Sequence, residues 1–215
     1  MTEMMNLLLI RHARNDWVGE RLAGWTPGVH LNEEGLSQAS GLTRQLAGVP
    51  IAAIYCSPLE RTLETAQPLA EAHGLAVQVR EGLGETRYGE WTGRTLKELG
   101  EEKLWPVVQI YPGGARFPGG ESLREVQARM VAELDAIRDA HAGQTVAVVS
   151  HSDPIKLAVA HYTGLPLDLF QRLTISPASV TAFAFTRFGP RLICLNHTDT
   201  LPSFKIEEKK LDEEQ

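Results

Sequence analysis

Two histidines and two arginines in this sequence stand where strand ends could bring them together. Arg11-His12 follows the apolar run Leu7-Leu8-Leu9-Ile10, and His151 follows Val146-Ala147-Val148-Val149 within Ser150-His151-Ser152-Asp153. A third run, Ile51 to Tyr55, ends in Cys56-Ser57-Pro58, with Arg61 one helical turn further on. Guanidinium forks match phosphate oxygens in bidentate fashion and neutralise charge as a phosphoryl group moves. A neutral imidazole is a competent nucleophile toward phosphorus and can carry the group covalently. The departing alcohol then needs a proton, best supplied by a carboxyl whose pKa is raised. Glu85 and Glu90, within Gly84-Glu85-Thr86-Arg87-Tyr88-Gly89-Glu90-Trp91-Thr92-Gly93, lie in an irregular segment that could fold over such a centre. A bound phosphate would raise a neighbouring carboxyl further by like-charge repulsion.

These groups converge only if the apolar runs are neighbouring strands. Unbroken runs without alternation mark strands buried on both faces. The pattern predicts strands at 6–10, 51–55, 76–79 and 145–149. Between them it predicts helices from a cap at Asn32 to about Gly48, from Pro58 through about His73, from Ser122 to Ala140, and from Pro154 to about Tyr162. Leu36, Ala39, Leu42 and Leu46 give the first helix its apolar face, and Gly74 ends the second. Strands at 180–186 and 192–195 are predicted to form a hairpin around Gly189-Pro190. Residues 83–120 lose the periodicity and are expected to be loops with one or two short helices, packed over one edge of the sheet. The alternation of strands and helices predicts a three-layer α/β/α sandwich with a mostly parallel central sheet, in which ligands gather at the carboxyl ends of strands. One domain is expected over residues 1–204, with a charged solvated tail at 205–215.

Composition narrows the chemistry. At 215 residues, 43% hydrophobic and 22% charged, the chain is too apolar for wholesale disorder. Its formal net charge of -6 argues against nucleic-acid binding through bulk charge, while leaving room for a small positive pocket. Two cysteines, Cys56 and Cys194, are too few for a disulfide framework or a multi-thiolate metal site, and point to a reducing cytoplasm. The early apolar run is too short for a signal or a membrane span, so no membrane partner is expected.

In order along the chain stand Leu9-Ile10-Arg11-His12, Leu31-Asn32-Glu33-Glu34-Gly35 and Ser57-Pro58-Leu59-Glu60-Arg61-Thr62. Glu85 with Tyr88-Gly89-Glu90-Trp91-Thr92-Gly93, then Pro118-Gly119-Gly120-Glu121-Ser122, and Val149-Ser150-His151 complete the series. The ordered set resembles the histidine phosphatase superfamily, the phosphoglycerate mutase-like fold, over roughly residues 7 to 152. The resemblance implies that His12 is the nucleophile that becomes phosphorylated, that Arg11 and Arg61 clamp the phosphate, and that His151 contacts the transferring group. It further implies that Glu85 is the proton donor, that Asn15 reaches a phosphate oxygen, and that neither metal nor cofactor is needed. The sequence departs from the family pattern at Ala13, Arg14, Asn15, Val18, Ser152 and Asp153. Ala13 replaces a glycine, which the turn tolerates if φ stays negative. None of the departures removes a catalytic group, so they bear on substrate identity.

Other chemistries fail on spacing. Cys56 and Arg61 are one residue too close for a cysteine-phosphatase loop, and Pro58 removes a backbone donor there. No Gly-x4-Gly-Lys-Ser/Thr loop, Gly-x-Ser-x-Gly elbow, His-Glu-x-x-His or Cys-x-x-Cys pair is present. The expected activity is a phosphatase acting on small phosphorylated metabolites, because the stretch from Thr86 to Ser150 is short for the cover of a mutase. A phosphomutase of the phosphoglycerate type and a non-catalytic binder of a phosphorylated ligand are the alternatives. Arg14, Arg87 and Arg116 are candidates for a second anionic group, with a solvated surface as their default. Trp25, Trp91 and Trp105 are read as core before pocket, and Glu121 as a first-turn helix carboxylate. Dimers occur in this fold, and nothing in the sequence singles out an interface.

Overall fold

A computed structural model describes residues 4–198, so the charged run expected to form a tail lies outside the described residues. Six strands form one sheet in the order β3-β2-β4-β1-β5-β6. They are β1 (Met5–Arg11), β2 (Ile51–Cys56), β3 (Val77–Val79), β4 (Thr145–Ser150), β5 (Val180–Thr186) and β6 (Gly189–His197). β1 to β4 run parallel, and β5 is antiparallel to both β1 and β6. Leu7 and Leu9 face one layer, where Met130, Leu134 and Ile137 of α5 (Leu123–Ala140) and Ile155 and Ala158 of α6 (Ser152–Thr163) meet them. Leu8 and Ile10 face the other, against Leu42 and Leu46 of α1 (Glu33–Leu46) and Ala66 and Leu69 of α2 (Glu60–His73). Both faces of β1 are therefore core. Complete burial of each such leucine contributes about 1.5–3 kcal/mol, and it explains the unbroken apolar run.

Several local details differ from the sequence expectation. In α1 the Asn32 side chain caps the helix by accepting from Gly35 N–H, but Leu36 is 54% exposed while Gly35 is buried. A Cβ on Gly35 would lie 2.0 Å from the Arg14 carbonyl oxygen, so the first turn of α1 abuts the loop that follows His12. Close approach, rather than apolar periodicity, sets that contact. α2 starts at Glu60, with Pro58 in the turn before its cap, and continues through Pro68 without that residue's N–H. β6 begins at Gly189, which pairs with Thr186, so Arg187-Phe188 forms the hairpin turn and Gly189-Pro190 is already strand.

A 3-10 turn at Glu81–Leu83 leads into the irregular segment, which contains α3 (Leu96–Leu99), α4 (Trp105–Ile110) and 3-10 turns at Gly89–Trp91 and Pro112–Gly114. Its core of Trp91, Leu99, Val108 and Phe117 packs on Leu123 and Val126 of α5 and Leu157 of α6, so it sits on one helical layer rather than on a sheet edge. Among the described residues no helix is long and apolar enough to cross a membrane.

Candidate active site

Register alone brings the strand ends together. β1 and β4 are parallel neighbours with Arg11 opposite Ser150. His12 N–H donates to the Ser150 carbonyl at 2.9 Å, and Ser57 N–H donates to the Val149 carbonyl at 3.0 Å. The His12 and His151 rings consequently stand 5.2 Å apart, edge to face.

His12 is buried, with Nδ1 2.7 Å from the Ala13 carbonyl oxygen. A carbonyl only accepts, so Nδ1 carries the hydrogen and Nε2 keeps the lone pair. Burial first, then the Arg61 and Arg11 charges, hold the His12 pKa well below its ordinary value, so the ring is neutral near pH 7. Ala13 N–H is held by Thr65 Oγ1 at 2.9 Å. Among the described non-glycine residues the left-handed region holds Ala178 and Asn196, so Ala13 meets the condition its replacement of glycine requires.

Arg61 is 1% exposed and does not pair with Glu60 or Glu64 on its helix surface. Its Nη2 donates to the Gly24 carbonyl at 2.9 Å and to His151 Nδ1 at 3.3 Å. Arg11 donates through Nη1 to the Ile175 carbonyl at 2.6 Å. Three buried guanidinium nitrogens, Arg11 Nε and Arg61 Nε and Nη1, have no acceptor. Unpaired buried donors of this kind are costly unless an anion meets them. Since His151 Nδ1 accepts from Arg61, its Nε2 carries the hydrogen and donates to Ser57 Oγ at 2.8 Å. His151 is fully buried, and burial together with Arg61 lowers its pKa well below the ordinary value.

Glu85 is 9% exposed and accepts from Thr86 N–H at 2.9 Å through Oε1, while Oε2 lies 3.7 Å from His151 Nδ1. Burial, reinforced by the Asp153 charge, raises its pKa to about 7 against the opposing pull of Arg61. Glu90, the other carboxyl of that segment, is exposed. Asn15 is buried and accepts from Trp17 N–H through Oδ1, which leaves its amide nitrogen for the cavity.

Arg11, His12, Asn15, Arg61 and Glu85 line one cavity of about 150 Å³, below the roughly 300–1,000 Å³ of drug-sized sites. His151 joins the group through His12, Arg61 and Glu85 rather than from the cavity wall. The remaining wall includes Trp17, Val18, Arg21, Leu22, Tyr88, Leu96, Ser152 and Asp153. Four departures from the family pattern, Asn15, Val18, Ser152 and Asp153, thus lie on the wall. Arg14, Arg87 and Arg116 do not; they pair with Glu34, with Glu81 and Glu121, and with Glu125. Tyr88, which donates to Asp153 Oδ2 at 3.1 Å, and Arg21 are wall residues that the sequence does not single out. Tyr88 sits in a quoted motif without an assigned role, and Arg21 sits in a loop with no periodic signal. Trp91 is core, whereas Trp25 donates from Nε1 to the Glu85 carbonyl at 2.6 Å. Glu121 precedes the Ser122 cap of α5 instead of lying in its first turn. Among the described residues no group of three or more His, Cys, Asp or Glu side chains could hold a metal ion.

Comparison with known proteins points the same way. The model of the histidine phosphatase superfamily (branch 1) matches residues 7–198. Phosphoserine phosphatase 1 of Hydrogenobacter thermophilus is 33% identical over 214 residues, 96% of this chain and 99% of its own length. A probable phosphoglycerate mutase of Yersinia pestis is 32% identical over 180 residues, 83% of this chain and 84% of its own. Among solved structures, a mycobacterial glucosyl-3-phosphoglycerate phosphatase superposes with a TM-score of 0.83 at 26% identity, covering 91% of this chain and all of that one (100%). The phosphoserine phosphatase of Entamoeba histolytica in complex with 3-phosphoglyceric acid gives 0.83 at 27% identity, covering 92% and 100%.

Proposed function

This chain belongs to the histidine phosphatase superfamily, and we propose that it hydrolyses small phosphomonoesters through a phosphohistidine on His12. The observation that carries this reading is the set of buried, unpartnered guanidinium donors of Arg11 and Arg61 around a histidine whose Nε2 keeps its lone pair.

The phosphoryl group of the substrate satisfies those donors, with the Asn15 amide as a further one. His12 Nε2 attacks phosphorus in line; the N–P bond forms as the bond to the ester oxygen breaks. The ester oxygen leaves with the proton of Glu85, which is about half protonated near pH 7 before phosphate arrives and more so beside a bound anion. Glu85, now a carboxylate, takes a proton from water as that water attacks phosphorus. The N–P bond breaks, phosphate departs, and both residues return to their starting states. His151 spreads positive charge from Arg61 toward the centre through their hydrogen bond, and Ser57 fixes its tautomer.

The wall suggests what the rest of the substrate looks like. Arg21 offers a cation to a carboxylate, and Asp153 offers an anion to an ammonium or hydroxyl group. A small phosphorylated amino acid, as in the names of two relatives, fits that pairing best. Free thiols at Cys56 and Cys194 accord with a cytoplasmic setting.

The test is phosphate release from a panel of phosphomonoesters, including phosphoserine and 3-phosphoglycerate, with isomers of the latter assayed in the same tubes. Phosphate release by the protein and its loss in His12→Ala are expected. Isomer formation with little free phosphate would make the protein a mutase. Binding without turnover on every substrate would make it a binder.

A further inference from the structure

Resting on the reading of Glu85 as the acid, we propose that Arg129, far from the strand ends in sequence, is the positioning residue that holds Glu85 at the cavity. Arg129 projects from the middle of α5, and all five of its guanidinium hydrogens are used. Nε and Nη2 donate to the two carboxylate oxygens of Glu121 at 2.8 and 3.0 Å. Nη1 donates to the carbonyls of Gly82 and Gly84 at 2.9 and 2.8 Å, and Nη2 also donates to that of Glu85 at 2.8 Å. Ser150 Oγ takes the one carbonyl left between them, that of Leu83, at 2.7 Å. Four successive carbonyls, from Gly82 to Glu85, therefore each accept from a side chain, and that of Glu85 accepts from Trp25 as well.

The loop has its own turn bonds, from Leu83 N–H to Arg80 and from Gly84 N–H to Glu81, and the side chains add an outside hold at every carbonyl from Gly82 to Glu85. The clamp has geometric consequences. Ser150 precedes His151, so one bond ties the acid loop to the strand end that presents the second histidine. A Cβ on Gly84 would lie 2.2 Å from the Trp25 ring, so the loop and the indole are in contact with no room to slide. Glu121 is itself fixed, since its Oε2 accepts from Arg87 N–H at 2.8 Å and its own N–H donates to the Arg87 carbonyl at 2.8 Å. Arg129 thus joins the two ends of the segment from Gly82 to Arg87, which brackets Glu85. Its side chain is 18% exposed, so the clamp is largely shielded from water and salt. A planar fork with five donors is required; lysine has three donors on one atom and cannot reach three carbonyls and a carboxylate together.

A group that only stabilised the fold would affect all substrates alike. A group that places the acid matters in proportion to how much the leaving oxygen needs a proton. Rates are to be compared on an alkyl ester, phosphoserine or whichever alkyl substrate of the panel turns over best, and on 4-nitrophenyl phosphate, whose leaving group departs unprotonated. The proteins are the parent, Glu85→Gln, Arg129→Met and Arg129→Lys. Arg129→Met is expected to lose roughly 10²-fold on the alkyl ester, within the range for general acid catalysis, and no more than a few-fold on the aryl ester. Arg129→Lys is expected to fall between it and the parent. The alkaline limb of the kcat/KM profile is expected to move to lower pH in both as Glu85 gains water. Arg129→Lys carries the comparison if Arg129→Met does not fold. A leaving-group bias in Glu85→Gln without one in the Arg129 variants would overturn this inference alone. Equal losses on both esters in Glu85→Gln would remove the acid role from Glu85, and the inference with it.

Discussion

Arg11, His12, Arg61 and His151 reach the centre from two adjacent strand ends and the start of α2, whereas Trp17, Val18, Arg21 and Leu96 reach the cavity beside it from the loop after β1 and from α3. The first group is tied by backbone register: His12 to Ser150, Ser57 to Val149, and Arg11 beside Ser150. Its histidines are buried and held neutral by that burial and by the Arg61 charge, and Arg61 is itself buried. The second group is half-buried or exposed, and Arg21 is anchored by one hydrogen bond to the Gly93 carbonyl at 3.1 Å. Strand ends fix positions closely enough for bond making, while loops supply a wall that can change without disturbing them. The departures from the family pattern cross that division: Val18 lies in the loop after β1, Asn15 and the Ser152-Asp153 pair sit close behind the strand ends of β1 and β4, and Arg11, His12, Arg61 and His151 are unchanged.

Arg61→Met tests the division at its strongest point. Loss of a guanidinium facing the transferring group is expected to lower kcat/KM by about 10²–10³-fold. Because Arg61 Nε and Nη1 are buried without acceptors, Tm is expected to hold or rise, as apolar replacement of buried charge often does. A fall in Tm alongside activity would mean that Arg61 supports the fold as much as the chemistry.

The Glu85 carboxyl gives a second test, in pH. Its pKa is raised to about 7, so its protonated form is favoured in the folded state. The associated stability is full below its ordinary range near 4.5 and is lost as pH rises through about 7. The drop in Tm between pH 5 and pH 8 is expected to be smaller in Glu85→Gln than in the parent; an unchanged drop would place the titration elsewhere. The alkaline limb of kcat/KM is expected near pH 7 for the same reason, with the acid limb well below 6.5 because His12 is held neutral. Asp153→Asn removes the largest charge that raises Glu85, so its alkaline limb is expected to shift downward by a fraction of a unit. An upward shift would contradict the electrostatics.

The smallest effect is expected at the outer wall. Arg21→Ala should raise KM for carboxylate-bearing esters about two- to fivefold, the size of an exposed ion pair, and leave kcat and Tm unchanged. A loss of kcat would move Arg21 into the chemical group and blur the division.

The same division explains what could be read from the sequence. Unbroken runs such as Leu7 to Ile10 announce strands buried on both faces, and strands aim whatever follows them, so the placing of His12 and His151 beside each other is legible. Asn32 and Ser122 announce helix starts because their side chains cap within three residues. Leu36 misleads because Gly35, in the first turn of α1, is the residue pressed against Arg14, a tertiary demand with no periodic signature. Arg129 is invisible for a different reason: the four residues that accept its hydrogen bonds lie 8 to 47 residues away, and an arginine on an amphipathic helix reads as surface. Arg21 and Tyr88 enter the cavity through irregular backbone, whose path is set by packing on α5 and α6 rather than by local propensity.

Detection of a covalent phosphate on His12 tests the phosphohistidine route most directly. The protein is to be mixed with its best substrate, quenched in alkali within milliseconds to seconds, and examined by mass spectrometry for added phosphate. One acid-labile, alkali-stable phosphate is expected on His12 in the parent, accumulating further in Glu85→Gln with an aryl ester as water attack slows, and none in His12→Ala. Turnover that persists in His12→Ala, or a phosphate carried by any other residue, would contradict that route.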